Sequence, residues 1–161
     1  MINIIGQAFF QGYLSAKQLK MKKNEPVGHI MTKNVLSVDI NANLKEVKDM
    51  INRQKIRHVP VVKEKQLVGI ISKTDINRLS FSGLFEDQND ADEAIFEMLT
   101  LGQVMTHKPK VVKATDPIKS VAEIFASSEF HALPVVSEHD PGKLEGIVTT
   151  TDVIRYMLGQ Y

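Results

Sequence analysis

Apolar positions along this chain switch between a helical and a strand period, and the sequence of switches occurs twice. Leu44, Val47, Met50 and Ile51 lie on one stripe of a predicted helix, and Ile118, Val121, Ile124 and Phe125 repeat that stripe later. Pro117 suits the first turn of the second helix, where its missing N–H costs nothing. Ahead of the first helix, Val35-Leu36-Ser37-Val38 reads as a short strand. Behind it, His58 to Lys63 and Leu67 to Ser72 read as two strands joined by the polar turn Lys63-Glu64-Lys65-Gln66, a hairpin. Further helices begin at about Lys73 and about Thr150, so each half has the order β-α-β-β-α. Ile4, Ile5, Ala8, Phe9 and Tyr13 fall near helical spacing and lead into a basic stretch, Lys17 to Lys23. This predicts an arm packed on the repeats or on a partner chain, with attachment to a membrane surface as the alternative. Residues Glu86 to Glu93 are acidic and predict a solvated linker. Ala94, Ile95, Met98 and Leu99 then look helical. The expected division is an N-terminal helical arm over 1–24, a first repeat over 25–80, a linker over 81–100 and a second repeat over 101–161.

The two halves match in residues as well as in rhythm. Met31-Thr32 recurs 74 residues later as Met105-Thr106, and Val59-Pro60-Val61-Val62 recurs at the same offset as Leu133-Pro134-Val135-Val136. Three extra residues in the turn Ser137 to Lys143 raise the offset to 77. Gly69-Ile70-Ile71-Ser72-Lys73-Thr74-Asp75 then corresponds to Gly146-Ile147-Val148-Thr149-Thr150-Thr151-Asp152, and Arg78 to Arg155. Loop tips are where such insertions are tolerated. The pattern predicts an α/β (α+β) fold in which one supersecondary unit is used twice and the copies bury their apolar faces together. Two equivalent candidate sites follow.

Bulk properties remove whole classes of function. A chain of 161 residues suits one compact domain or two small lobes sharing a core. A net charge of +1 supplies no global field for nucleic acid or an anionic membrane. With no cysteine there are no disulfides and no thiolate chemistry, which is compatible with a reducing cytosol. No apolar run reaches the roughly 20 residues of a membrane span. Met1-Ile2-Asn3-Ile4-Ile5 lacks the basic start of a signal peptide, so a cytoplasmic protein is expected. The five histidines have no zinc-ligand spacing, and residues 86–93 lack the glycine and final glutamate of an EF-hand loop. No phosphate-binding glycine loop and no acyl-enzyme constellation stand out. No metal site, catalytic residue or nucleic-acid groove is therefore expected.

The Met-Thr opening, the Pro-Val-Val strand and the Gly-Ile-Ile/Val-Ser/Thr-x-x-Asp turn resemble the CBS-domain family, the cystathionine-β-synthase-type regulatory repeat. The resemblance covers about 27–80 and 101–158. It implies two repeats paired about a pseudo-twofold axis, with two clefts between them that bind AMP, ADP, ATP or S-adenosylmethionine. It also implies further pairing into a flat homodimer. With little chain outside the repeats, it looks like a stand-alone module without catalytic activity.

The chemistry of Ser72-Lys73-Thr74-Asp75 suits such a ligand. A helix start offers free N–H groups and partial positive charge to a phosphate, and the hydroxyl adds a hydrogen bond. The aspartate carries two acceptor oxygens that match a pair of ribose hydroxyls. The same spacing is also that of a capping box, in which both side chains serve only backbone N–H groups. Arg57 could pair with a phosphate through its planar fork. His58 could flank a phosphate or base, whereas His131 reads as a surface histidine. In the family each cleft is built from both repeats. Carried over, one cleft gathers Arg57, His58, Val59, Ser72, Thr74 and Asp75 with Thr106, Lys108 and Pro109. The other gathers Thr32, Asn34 and Val35 with His131, Ala132, Leu133, Thr149, Thr151 and Asp152. Arg57, His58, Lys73 and Lys108 make the Asp75 cleft the expected polyphosphate site, leaving the other for an adenosine without phosphate or for no ligand. The expected function is a regulatory adenine-nucleotide sensor read by an unidentified protein target. The alternatives are an assembly dimer with vestigial clefts and an S-adenosylmethionine sensor.

Overall fold

A computed structural model describes residues 24–79 and 89–160. The expected arm helix and its basic stretch lie outside the described residues, as does the first part of the acidic stretch.

The first repeat contains β1 (Val38–Asp39), α1 (Leu44–Gln54), β2 (His58–Lys63), β3 (Gln66–Ser72) and α2 (Lys73–Arg78). Then come α3 (Asn89–Met98) and α4 (Leu101–Val104), and the second repeat follows with β4 (Thr106–His107), β5 (Val112–Lys113), α5 (Ile118–Ser127), β6 (Ala132–Val136), β7 (Leu144–Thr149) and α6 (Thr150–Leu158). β1 pairs with β2 in parallel at Val38↔Val61, and β5 pairs with β6 in parallel at Val112↔Val135, at the same 74-residue offset. Each hairpin carries a register shift at the equivalent place, Val61/Val62 in β2 and Val135/Val136 in β6.

Local chemistry sets the ends of the helices. The Asn43 side chain accepts from Lys45 N–H and starts α1, which ends at Lys55 in the left-handed region, φ 53°. Pro117 sits one place before α5, at its N-cap with φ −62° and ψ 138°, and not inside the first turn. α3 begins five residues earlier than the apolar spacing suggested, at Asn89. The first strand is shorter than expected. Only Val38 and Asp39 join the ladder, and residues 35–37 stay outside it.

The two repeats are interleaved. The core of the first holds Leu44, Val47 and Ile51 of α1 against Val59, Val61 and Ile71 of the sheet, and is completed by Phe96 of α3 and by Leu101 and Met105 of the second repeat. The core of the second holds Ile118, Val121, Leu133, Val135 and Val148, and is completed by Val27, with Ile30 and Met31 packed against it. Val27 and Leu101 stand 74 residues apart, so each repeat inserts its own lead-in into the core of the other. The backbone follows the same exchange. Val27 N–H donates to Asp116 O at 2.8 Å and Ile118 N–H to Glu25 O at 2.8 Å. β4 of the second repeat adds to the first sheet through Ile70↔Thr106, and Thr32 of the first pairs with Ile147 of the second. Glycine makes these approaches possible. A Cβ on Gly146 would lie 2.6 Å from Thr32 O, and one on Gly69 would press on the Met105 thioether.

Candidate functional site

The strand-to-helix turns come first, because the local sequence fixes them. Ser72 and Thr149 are the N-caps of α2 and α6, and both form complete capping boxes. Ser72 donates to Asp75 Oδ2 from its backbone N–H at 2.9 Å and from its hydroxyl at 2.6 Å. Asp75 N–H returns a bond to Ser72 Oγ at 3.1 Å. Thr149 and Asp152 repeat the arrangement at 2.8, 2.6 and 3.3 Å. One oxygen of each aspartate is thus committed to the cap. The other, Oδ1, has an arginine at 4.0 Å, Arg78 beside Asp75 and Arg155 beside Asp152. The expectation that both oxygens face a ligand is corrected to one, since an Oδ2 already accepting two hydrogen bonds has little capacity left.

Each aspartate opens onto a cleft between the repeats. The Asp75 cleft, about 780 Å³, brings His58, Ser72, Thr74 and Asp75 together with Thr106, Lys108 and Pro109. Pairing of β4 with β3 carries those last three residues across, and Lys108 N–H donates to Val68 O at 3.3 Å. Lys108 takes φ 46° to make the turn. The Asp152 cleft, about 850 Å³, brings Thr149, Thr151 and Asp152 together with Thr32, Asn34 and Val35. The Thr32–Ile147 bridge carries that segment across in the opposite direction. Val35 and Leu36, released from the expected strand, line this cleft beside Asn34, and Leu36 is exposed there.

The walls are where the structure departs from the sequence reading. Arg57, expected beside Asp75, lines the Asp152 cleft, and so does Lys73. Ala132 and Leu133, expected beside Asp152, line the Asp75 cleft. Val59 lines neither, being fully buried in the first core. Backbone neighbourhood and side-chain destination differ here. Arg57 O accepts Lys73 N–H at 2.8 Å, and His131 O accepts Thr150 N–H at 3.1 Å, so each pre-strand segment touches the helix start of its own repeat. Arg57, Ala132 and Leu133 nevertheless line the cleft that holds the aspartate of the other repeat. His58 and His131 stand on the divide and line both clefts. Burial holds the His58 imidazole below its usual 6.5, helped by His131 and Arg57 and opposed by Asp75.

Residues that sequence reasoning missed also sit here. Lys55, Ile56 and Arg155 line the Asp152 cleft, and Arg78, Lys110, Glu129 and Phe130 line the Asp75 cleft. Arg78 and Arg155 carried a signal, since they match across the repeat. The others had none beyond their nearness to Arg57-His58, His131-Ala132 and Lys108. Among the described residues no group of three or more His, Asp or Glu side chains could hold a metal ion, and no helix is long and apolar enough to cross a membrane.

A tandem pair of interleaved β-α-β-β-α units, with a capped aspartate facing each inter-repeat cleft, defines the class of this protein. The family model for the CBS domain matches residues 27–82 and 101–159, and the chain belongs to that family. It is 31% identical over 138 residues to the uncharacterized protein MJ1225 of Methanocaldococcus jannaschii, covering 85% of this chain and 49% of that one. The chain therefore spans about half the length of that relative. The solved structure of CBSX2 in complex with AMP superimposes with a TM-score of 0.68 at 28% identity, over 83% of this chain and 96% of CBSX2. CBSX2 is a protein of Arabidopsis thaliana. The CBS domain pair of MJ0100, solved with 5-methylthioadenosine and S-adenosyl-L-methionine, gives 0.67 at 25% identity, over 85% and 98%.

Proposed function

We propose that this chain is a regulatory module that binds adenosine-containing ligands in its inter-repeat clefts and catalyses no reaction itself. One observation carries the reading. In each cleft the aspartate keeps Oδ1 outside its capping box, and a segment contributed by the other repeat lines the same cleft. A ribose hydroxyl can donate to that oxygen while the rest of the ligand spans both repeats, so occupancy is coupled to how the repeats sit together. A ligand shifts that geometry only to the extent that it binds one arrangement better than another. The AMP complex of one structural neighbour and the methylthioadenosine and S-adenosylmethionine complexes of another support the ligand class.

For this chain AMP, ADP or ATP suits the Asp152 cleft, where Arg57 stands. S-adenosylmethionine is a second reading for the Asp75 cleft, because Glu129 and the exposed ring of Phe130 favour a cationic sulfonium. Thermal-shift measurements with AMP, ATP, adenosine and S-adenosylmethionine test the function, since a ligand of the folded state raises stability by mass action. No stabilisation by any of the four at millimolar concentration would refute it. We also propose a homodimer. α6 exposes Ile154, Met157 and Leu158, a patch that a second copy would cover. A monomer in light scattering at tens of micromolar would refute that.

A further inference from the structure

The pseudo-twofold axis pairs each residue of one cleft with a residue of the other, but the charges do not match across it. Lys55 and Arg57 on the wall of the Asp152 cleft correspond to Glu129 and His131 on the wall of the Asp75 cleft. In the Asp152 cleft the cations Lys55, Arg57, Lys73 and Arg155 face a single carboxylate, Asp152. In the Asp75 cleft Arg78, Lys108 and Lys110 face two, Asp75 and Glu129. At the position of Ile56 in one wall, the other has Phe130, 44% exposed.

We propose that Lys55 and Glu129, reinforced by Arg57 and His131, are specificity determinants that sort adenosine ligands by charge. The Asp152 cleft takes the polyphosphate ligand. The Asp75 cleft takes a ligand whose group beyond the ribose is neutral or positive. The inference rests on the adenosine reading given above and adds to it the pair of opposed charges that sets which ligand each cleft takes. Single exposed charges contribute little. Several of one sign lining a cleft with low-dielectric walls add to a field that a multiply charged phosphate feels and adenosine does not. That field is screened over about 8 Å at physiological salt, so it acts inside its own cleft far more than in its neighbour.

Calorimetry with ATP and adenosine tests this on two backgrounds. Asp75→Asn leaves the Asp152 cleft intact, and Asp152→Asn leaves the other. In the first background ATP should bind at least about tenfold tighter than adenosine, and Lys55→Glu should cut that ratio about tenfold, with Lys55→Gln intermediate. In the second the ratio should lie near one, and Glu129→Lys should raise it by a similar factor. Equal ratios in the two backgrounds, or ratios unmoved by both charge reversals, would overturn the sorting. Tripolyphosphate alone, followed by amide shifts, separates the two ideas. Shifts at residues 55–57 ahead of 108–110, without binding of adenosine or ATP, would sink the adenosine reading and with it the sorting of adenosine ligands, and leave only the preference of the Asp152 cleft for polyphosphate. Shifts first at 108–110 would reverse the assignment, and no shift with any probe would overturn both.

Discussion

Exchanging Asp75 for asparagine and for alanine separates two roles that one side chain holds. Oδ2 accepts the Ser72 N–H at 2.9 Å and the Ser72 hydroxyl at 2.6 Å, and Oδ1 stays outside the cap with Arg78 at 4.0 Å. Alanine removes both oxygens and leaves a half-buried N–H without its partner, a loss of about 1–2 kcal/mol. For a chain of this size that lowers the unfolding temperature by about 2–8 °C. Asparagine can turn its carbonyl oxygen to Ser72 and keep both bonds, which places its NH₂ where Oδ1 was. Stability should then stay within about 0.5 kcal/mol of the unsubstituted protein, because the Arg78 contact is exposed and weak. The cleft, however, gains a donor in place of an acceptor, and a ribose hydroxyl loses its partner. That should weaken adenosine binding at this cleft by about 1–3 kcal/mol, or roughly 5- to 150-fold. Thermal unfolding reads the first effect and calorimetry the second. Asparagine as destabilising as alanine would mean that the cap is not built through Oδ2. Asparagine binding ligand as the native protein does would mean that Oδ1 does not touch it. The same pair at Asp152 should behave alike, with the larger loss of AMP binding because Arg57 stands in that cleft.

Three further outcomes follow from packing and charge. Leu101→Ala should cost about 2–5 kcal/mol in denaturant unfolding because Leu101, which opens the second repeat, fills the first core. A loss confined to a few tenths would contradict the exchange of lead-ins. Gly146→Ala should destabilise more than Gly69→Ala in the same assay, since the first meets a backbone carbonyl at 2.6 Å and the second chiefly a thioether that can swing away. The reverse order would refute this. The His58 imidazole is held below 6.5, so the unfolded chain takes up its proton first and stability should fall as pH drops through 6.5. His58→Ala, which installs the residue found at the equivalent Ala132, should flatten that part of the pH profile. A profile unchanged by the substitution would show that the loss comes from other groups.

The repeat was legible because its offset survives in residues with distinct jobs, such as Met31 and Met105 or Asp75 and Asp152. Helices α1 and α5 were legible because a stripe of Leu44, Val47 and Ile51, or Ile118 and Val121, has only one face to bury. The exchange of lead-ins was not. A periodic pattern reports which face is apolar, never which copy covers it, and Val27 would read the same in either core. β4 escaped because two residues, Thr106 and His107, carry no period at all. Arg57 was misplaced for a related reason. The β2–β3 ladder sets His58 opposite Ser72, which suggests that its neighbour also belongs with Asp75, yet Arg57 lines the Asp152 cleft. The choice between cap and ligand at Ser-x-x-Asp could not be made from spacing, because the geometry gives one carboxylate oxygen to the cap and keeps the other outside it.

The exchanged lead-ins make this chain, in topological terms, a domain-swapped dimer tied into one polypeptide. A single repeat cut free would have an unfilled place in its core and an apolar lead-in with nowhere to go, and a second copy would satisfy both. The connection from α2 to residue 99 has its counterpart in the gap between the end of α6 and Glu25, where the Tyr156 hydroxyl already donates to the Glu25 carboxylate at 3.1 Å. A permuted chain that opened ahead of α3 and was rejoined from residue 160 to 24 by a linker long enough to span the gap is expected to keep both cores and both clefts. The order of the halves along the chain is thus incidental to the fold, and their reciprocity is essential to it.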